Sequence, residues 1–207
     1  MLFRSAKLPS ILVVHPSLPA KNVKALIALP RAQPARLTFG TGGGGSGSHL
    51  TMELFKLQAK VDLIHVPYKG VAPAVLDLVS GQIGMMLAGI SVLKPHTDNN
   101  RVRALAVSTA KRSAIAPELP TIVEAGVKGY QTKSWNALVL PRGTPAAIVH
   151  RLHAEIAVVL KAPQLTEQLK SQGIEPEPGP PDELARYVRE EMVRFQNLIR
   201  MVGLKTE

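Results

Sequence analysis

The chain has 207 residues, 45% hydrophobic and 19% charged, which is material for one large domain or two small lobes and too apolar for a disordered segment. Its net charge of +10 is scattered in pairs such as Arg101/Arg103 and Lys111/Arg112, and aromatics are only 4%, so no basic stripe interleaved with stacking rings points to nucleic acid. The lack of cysteine excludes disulfides and thiolate metal sites, and no apolar run reaches the length of a membrane span.

Met1 to Lys7 shows no basic region followed by an apolar core and a cleavage site. As written, then, the chain carries no export signal, and on that ground alone it is expected in the cytoplasm. Apolar, β-branched runs then alternate with helical patterns. Strands are expected at Ile11–Val14, Leu37–Phe39, Leu63–Val66, Ile83–Leu87, Val102–Val107 and Trp135–Leu140, with helices near Asn22–Leu29, Ser48–Gln58 and Val71–Ser80 between them. This alternation predicts an α/β fold with a mostly parallel sheet covered by helices. After Leu140 the pattern is helical, with Pro145, Pro163 and Pro180-Pro181 opening three helices where proline is tolerated. In the last of these, Leu184, Val188, Met192, Phe195 and Ile199 form a stripe at helical spacing, read as a docking face. One preceding strand is too little sheet for three helices to cover.

The segment from Thr41 to Leu50, TGGGGSGSHL, carries the chemistry. It lies between a strand and a helix, where backbone N–H groups lack helical partners and the macrodipole adds about half a positive charge. Three familiar glycine motifs fail there. A Walker loop would need Lys followed by Ser or Thr where Ser48-His49 stands. A dinucleotide site would need an acidic residue closing the next strand, but Asp62 precedes it. A nucleophile elbow centred on Ser46 would need Gly at position 48. What remains is a cradle of N–H and hydroxyl donors suited to holding a carboxylate. Ligands of such sheets sit beyond the carboxyl ends of strands, where Pro67-Tyr68-Lys69-Gly70 also falls.

The remaining candidates are weaker. His150 and His153 share a helix face near Glu155, without a third ligand on that face, so no metal is expected. His15, His49 and His65 lie at strand ends or in the loop, with no carboxylate partner assigned. No cofactor and no catalytic residue is expected. A small α/β enzyme acting on an anion at the glycine loop is the alternative, together with an interaction protein that pairs with a separate N-terminal half.

Several motifs carry a resemblance. Val13-Val14-His15-Pro16-Ser17-Leu18-Pro19-Ala20, the glycine loop into His49-Leu50 and Glu53-Leu54-Phe55-Lys56, Val66-Pro67-Tyr68-Lys69-Gly70 and Asp77 to Gln82 resemble the Bug family. Arg103 to Ser108, Pro120 to Gly126 with Gly129-Tyr130, and Trp135 through Gly143-Thr144-Pro145 continue the match in order. These proteins are the solute receptors of tripartite tricarboxylate transporters. The resemblance implies a periplasmic, two-lobe fold of the type II binding-protein kind that closes on a small organic carboxylate and delivers it to a membrane permease. It implies a crossover strand in residues 1–15, lobe two in 16–129, and the returning part of lobe one in 130–207. It also implies ligand contacts from Thr41, Gly43, Gly44, Gly45, Ser46, Ser48 and His49, from Tyr68, Lys69 and Gly70 in the facing loop, and from Ser134 near the crossover.

Departures from the pattern are Pro30 and Pro34 around the first helix, and Leu87-Ala88 where relatives carry an aromatic followed by Asp. The family's leading strand and its proline- and glycine-rich loop, about the first third of a member, have no counterpart. The expectation is a truncated receptor with an incomplete first lobe and impaired binding, which self-associates through the exposed lobe-one surface.

Overall fold

The computed structural model describes residues 3–32, 37–130, 132 and 134–204, so Pro34 lies outside the described residues. The elements are β1 (Phe3–Leu8), β2 (Ser10–Val14), α1 (Val23–Ala32), β3 (Thr38–Thr41), α2 (Gly47–Ala59), β4 (Ile64–Pro67), α3 (Val71–Val79), β5 (Met85–Gly89), α4 (Ile90–Asp98), β6 (Arg103–Val107), β7 (Ser134–Leu138), α5 (Ala146–Val159), α6 (Pro163–Ser171), β8 (Glu175–Pro176) and α7 (Pro181–Val202). They fall into two compact units. One comprises residues 1–8 with 134–197, and the other 9–133 with 198–207. The divisions thus stand at 8/9, 133/134 and 197/198, where the sequence reading expects 15/16 and 129/130.

The larger unit is built on a five-stranded sheet of order β4-β3-β5-β2-β6. Strand β3 runs parallel to β4 and β5, whereas β2 is antiparallel to both β5 and β6. The expected mostly parallel sheet therefore needs one correction: four strands point one way, and β2 is inserted among them in the opposite sense. Every residue of β2 is buried, because strands flank it on both edges and the sheet is covered. Alternate side chains point to opposite faces. Ile11 and Val13, with Met86 and Ala88 of β5, pack against Ala74, Val75 and Leu78 of α3 and Ile90 and Leu93 of α4. By the same alternation Leu12, Val14, Met85 and Leu87 face the other side, and α2 contacts β5. Tyr130 is fully buried and meets Phe55 of α2 edge-on at 6.1 Å. Leu87 and Ala88 are thus core residues of a central strand, 1% and 5% exposed.

Helix α4 escaped the sequence reading. It carries Pro95 in its interior and ends in polar residues, so only Ile90 and Leu93 mark an apolar face. Helix α1 begins as expected, with the Asn22 side chain accepting from Ala25 N–H at 2.8 Å, and it accommodates Pro30 near its end.

The smaller unit has a three-stranded antiparallel sheet, β7-β1-β8. This corrects the expectation of a single strand before the terminal helices. Strand β1 was hidden because Arg4 and Lys7 interrupt its apolar pattern. Both cations are paired within the unit: Arg4 lies 2.9 Å from Glu177 and 3.5 Å from Glu183, and Lys7 pairs with the same Glu177. The Arg4 guanidinium also sits over the Tyr187 ring at 5.4 Å, and Trp135 meets that ring edge-on at 5.7 Å. The stripe expected on α7 is displaced. Leu184 is buried and Val188 and Phe195 are half-buried, but Met192 is 57% exposed, because the helix turns Tyr187 and Glu191 inward instead. Helices α5 and α6 bury no residue, and Ile148, Val158 and Val159 of α5 are exposed. His153 of α5 bonds the Gly179 carbonyl at 3.2 Å and packs edge-on against Phe3, so it serves the small unit's own packing.

Leu12, fully buried and paired with Leu87 and Ala106, is the most direct test of the central strand. Leu12→Ala is expected to lower the unfolding free energy by about 2–5 kcal/mol, and Met192→Ala by less than about 0.5 kcal/mol, in urea denaturation.

Candidate functional site

The glycine loop joins β3 to α2, and its shape follows from its own residues. Thr41 is the last residue of β3 and is fully buried. Its Oγ1 lies 2.6 Å from His65 Nε2 and 3.2 Å from the Gly43 carbonyl. Gly43, at φ +133, and Gly45, at φ +69, adopt conformations that disfavour a side chain, and a Cβ on Gly43 would stand 3.3 Å from the Tyr68 carbonyl. Ser46 is the N-cap of α2: at φ −63 and ψ 161, its Oγ accepts from His49 N–H at 3.3 Å and donates to the Gly43 carbonyl at 2.7 Å. Ser48 Oγ accepts from Gly42 N–H at 3.0 Å and lies 3.0 Å from Ser46 Oγ.

Beneath the loop is a ring stack, buried at His49 and half-buried at His65, that the sequence did not disclose. His49, 5% exposed, accepts a hydrogen bond at Nδ1 from Gly45 N–H at 3.0 Å. An imidazole that accepts at Nδ1 is neutral and carries its proton at Nε2, which here faces Glu53 Oε1 at 3.7 Å. Glu53 is itself buried and bonded to Lys56 at 2.9 Å. The His49 ring stacks on His65 with centroids 3.8 Å apart, and His65 in turn stacks on Phe39 at 5.0 Å. Burial depresses the His49 pKa, with Glu53 opposing and Lys56 reinforcing that shift. Burial, and then the neighbouring His49, push His65 down to about 4. The folded state therefore prefers the neutral ring. That contribution to stability is complete above the ordinary value of 6.5 and is lost as pH falls through the window toward about 4. The carboxylate partner missing from the sequence reading is Glu53, and its i, i+4 spacing from His49 was the available signal.

The facing loop after β4 lies alongside. Gly70 N–H donates to the Gly42 carbonyl at 3.1 Å, and Tyr68 N–H to the Thr41 carbonyl at 3.1 Å. The Tyr68 hydroxyl donates to Asp77 Oδ2 at 2.6 Å, and burial together with that bond pushes its pKa up to about 12. Lys69 is exposed. The structure thus brings the residues expected in the two loops together, with Gly44, Gly45 and Gly47 exposed and the side chains of Thr41 and His49 turned inward as supports. Ser134 belongs to the other unit, where it opens β7 and pairs with Leu8.

What the arrangement offers chemically is a set of donors. Gly47 and Ser48 occupy the first turn of α2, where N–H groups have no acceptor four residues back. A loop of N–H donors at a helix start, joined to a parallel strand of a mixed α/β unit, is an arrangement suited to an anion. The family model described as "Tripartite tricarboxylate transporter family receptor" (TctC) matches residues 2–204, and the chain belongs to that family. Among curated relatives, the UPF0065 protein in the tcbD-tcbE intergenic region of Pseudomonas sp. (strain P51) is 39% identical over 94% of this chain and 58% of that protein. Among solved structures, R. palustris Rpa4515 with adipate is 38% identical with a TM-score of 0.88, over 99% of this chain and 70% of that one. MatC (Rpa3494) from Rhodopseudomonas palustris with bound malate is 28% identical with a TM-score of 0.81, over 96% and 68%. The chain thus spans about 58% of the curated relative's length.

Ser46→Ala removes the cap and the bond to Gly43 while leaving the glycines in place. A loss of about 0.5–2 kcal/mol in unfolding free energy is expected, read by chemical denaturation, with the far-ultraviolet spectrum unchanged.

Proposed function

We propose that this chain acts as the ligand-holding part of a tripartite tricarboxylate-type receptor, taking a small organic carboxylate at the glycine loop for delivery to a membrane permease. The observation that carries this reading is the run Gly44 to Ser48, with Gly44, Gly45 and Gly47 exposed, which offers first-turn N–H donors to an anion beside the exposed Lys69. Family membership and the dicarboxylates in two solved neighbours, adipate and malate, support the same ligand class. Gly44, Gly47 and Ser48 are assigned to the ligand side with Lys69 at its edge, and Thr41, Gly43, Gly45, Ser46, His49, Tyr68 and Gly70, whose polar groups are bonded within the loops, to holding them in shape. The periplasm is the corresponding compartment, as family membership suggests. No described helix is long and apolar enough to cross a membrane.

Binding without catalysis is favoured by the hydrogen bonds of the loop. The Ser46 hydroxyl donates to a carbonyl, and His49 Nδ1 is occupied by Gly45 N–H, so the loop holds no serine–histidine nucleophile pair. A carboxylate held by neutral donors in an open loop is expected to bind weakly, with a millimolar dissociation constant, about −4 kcal/mol.

Gly47→Pro is the sharpest test. Proline is tolerated at the first helical position, Ser46 already has the extended backbone that precedes proline, and a Cβ at 47 meets nothing within 4 Å. The substitution deletes one N–H donor and leaves the helix intact. In an NMR titration with adipate or malate, the amides of Gly44, Gly47 and Ser48 should shift in the wild type. Gly47→Pro should weaken binding by roughly tenfold, about 1.4 kcal/mol, with an unchanged or raised melting temperature. Loop amides that stay still at saturating dicarboxylate, or an unaltered affinity in Gly47→Pro, would sink the reading.

A further inference from the structure

We propose that His65 is a positioning residue for the glycine loop: stacked on His49 as a neutral pair, it holds the loop in its binding shape, and proton uptake by the pair releases Gly45 and its neighbours. Two hydrogen bonds and one ring stack carry the inference. Gly45 N–H donates to His49 Nδ1 at 3.0 Å, the His49 and His65 rings stack at 3.8 Å with their planes 13° apart, and His65 Nε2 lies 2.6 Å from Thr41 Oγ1. Thr41 in turn bonds the Gly43 carbonyl at 3.2 Å, so the stack grips the loop at two points, Gly43 and Gly45. The Gly45 grip depends on protonation state, whereas the Gly43 grip, with Thr41 Oγ1 donating to the Gly43 carbonyl and accepting from His65 Nε2, does not. A proton on His49 Nδ1 would point at the Gly45 N–H, two donors facing each other, and that bond cannot persist. A charge on both rings at this separation is opposed by their mutual repulsion, so the stack accommodates at most one proton before it opens.

The charged and titratable groups facing the pair set its response. From α2, Glu53 Oε1 lies 3.7 Å from His49 Nε2 and favours a proton, while Lys56, bonded to Glu53 at 2.9 Å, opposes one. From β3, Phe39 and Thr41 cover His65 with uncharged surface. Burial dominates, so the pair is neutral at pH 7 and the loop is held. The consequence for ligand affinity rests on the receptor reading above, but the loop device does not.

The test uses the whole chain and NMR, without ligand in its first arm. In the wild type, imidazole nitrogen shifts at pH 7 should report His49 as neutral with its proton on Nε2. Protection of the Gly45 amide, corrected for intrinsic exchange, should fall by at least about tenfold on acidification from the ordinary histidine range toward the low value of His65. His49→Asn places a non-titrating oxygen near the Nδ1 position and should remove that fall. His65→Phe should preserve the stack and the protection at pH 7 while leaving the acid-induced fall in place, since His49 still titrates, whereas His65→Ala should lower Gly45 protection at every pH. A charged or Nδ1-protonated His49 at pH 7, or Gly45 protection independent of pH in the wild type, overturns the proposal even if no variant folds. In a second arm, adipate affinity in the wild type should fall with the Gly45 protection. If adipate binds at no pH while Gly45 still loosens with acid, the receptor reading fails and the positioning role of His65 stands.

Discussion

The burial of β2 is the constraint on which the larger unit depends. Ser10 to Val14 enter directly after Pro9 and lie antiparallel between β5 and β6, with no solvent on either face or edge. Such a strand is apolar from Ile11 to Val14, because alternate residues reach opposite covering layers. Its placement also sets β5, which pairs with β2 on one edge and with β3 on the other. Through β3 the chain of dependence reaches Thr41, the residue from which the glycine loop departs.

The loop itself is held from within. Gly42, Gly43 and Gly45 spend their N–H groups on Ser48, Thr41 and His49, so the donors left for a ligand are those nearer the start of α2. This division separates support from contact. Thr41, His49 and His65 lie inside and determine where the backbone runs, while Gly44, Gly47 and Ser48 lie at the surface and carry no charge of their own. A carboxylate suits such a site because N–H dipoles at a helix start offer favourable potential without a counter-charge that would have to be desolvated when the site is empty.

Much of the larger unit was legible in the sequence because its signals are local. Strand runs such as Leu63–Val66, the glycine run, and proline at helix starts each act through neighbouring residues, and each corresponds to an element found. Apart from α4, which its interior Pro95 disguises locally, the failures share one cause. Arg4 and Lys7 masked β1 because their partner Glu177 lies far along the chain, and Met192 was assigned inward because helical spacing alone does not say which side of a broad apolar stripe meets the sheet. His65 carried no local mark at all, since its partners Thr41 and His49 lie in another strand and a helix.

The sequence by itself determined the order of strands and helices in the larger unit apart from α4, the position of the glycine loop, and the family to which the chain belongs, because periodicity, turn chemistry and motif order are all written along the chain. Only the tertiary structure decided the antiparallel insertion of β2, the pairing of β1 with β7 and β8, and the stacking of His49 on His65. Those features are contacts between residues distant in sequence. Their energy comes from burial and from hydrogen bonds that exist only once the sheet has brought the partners together.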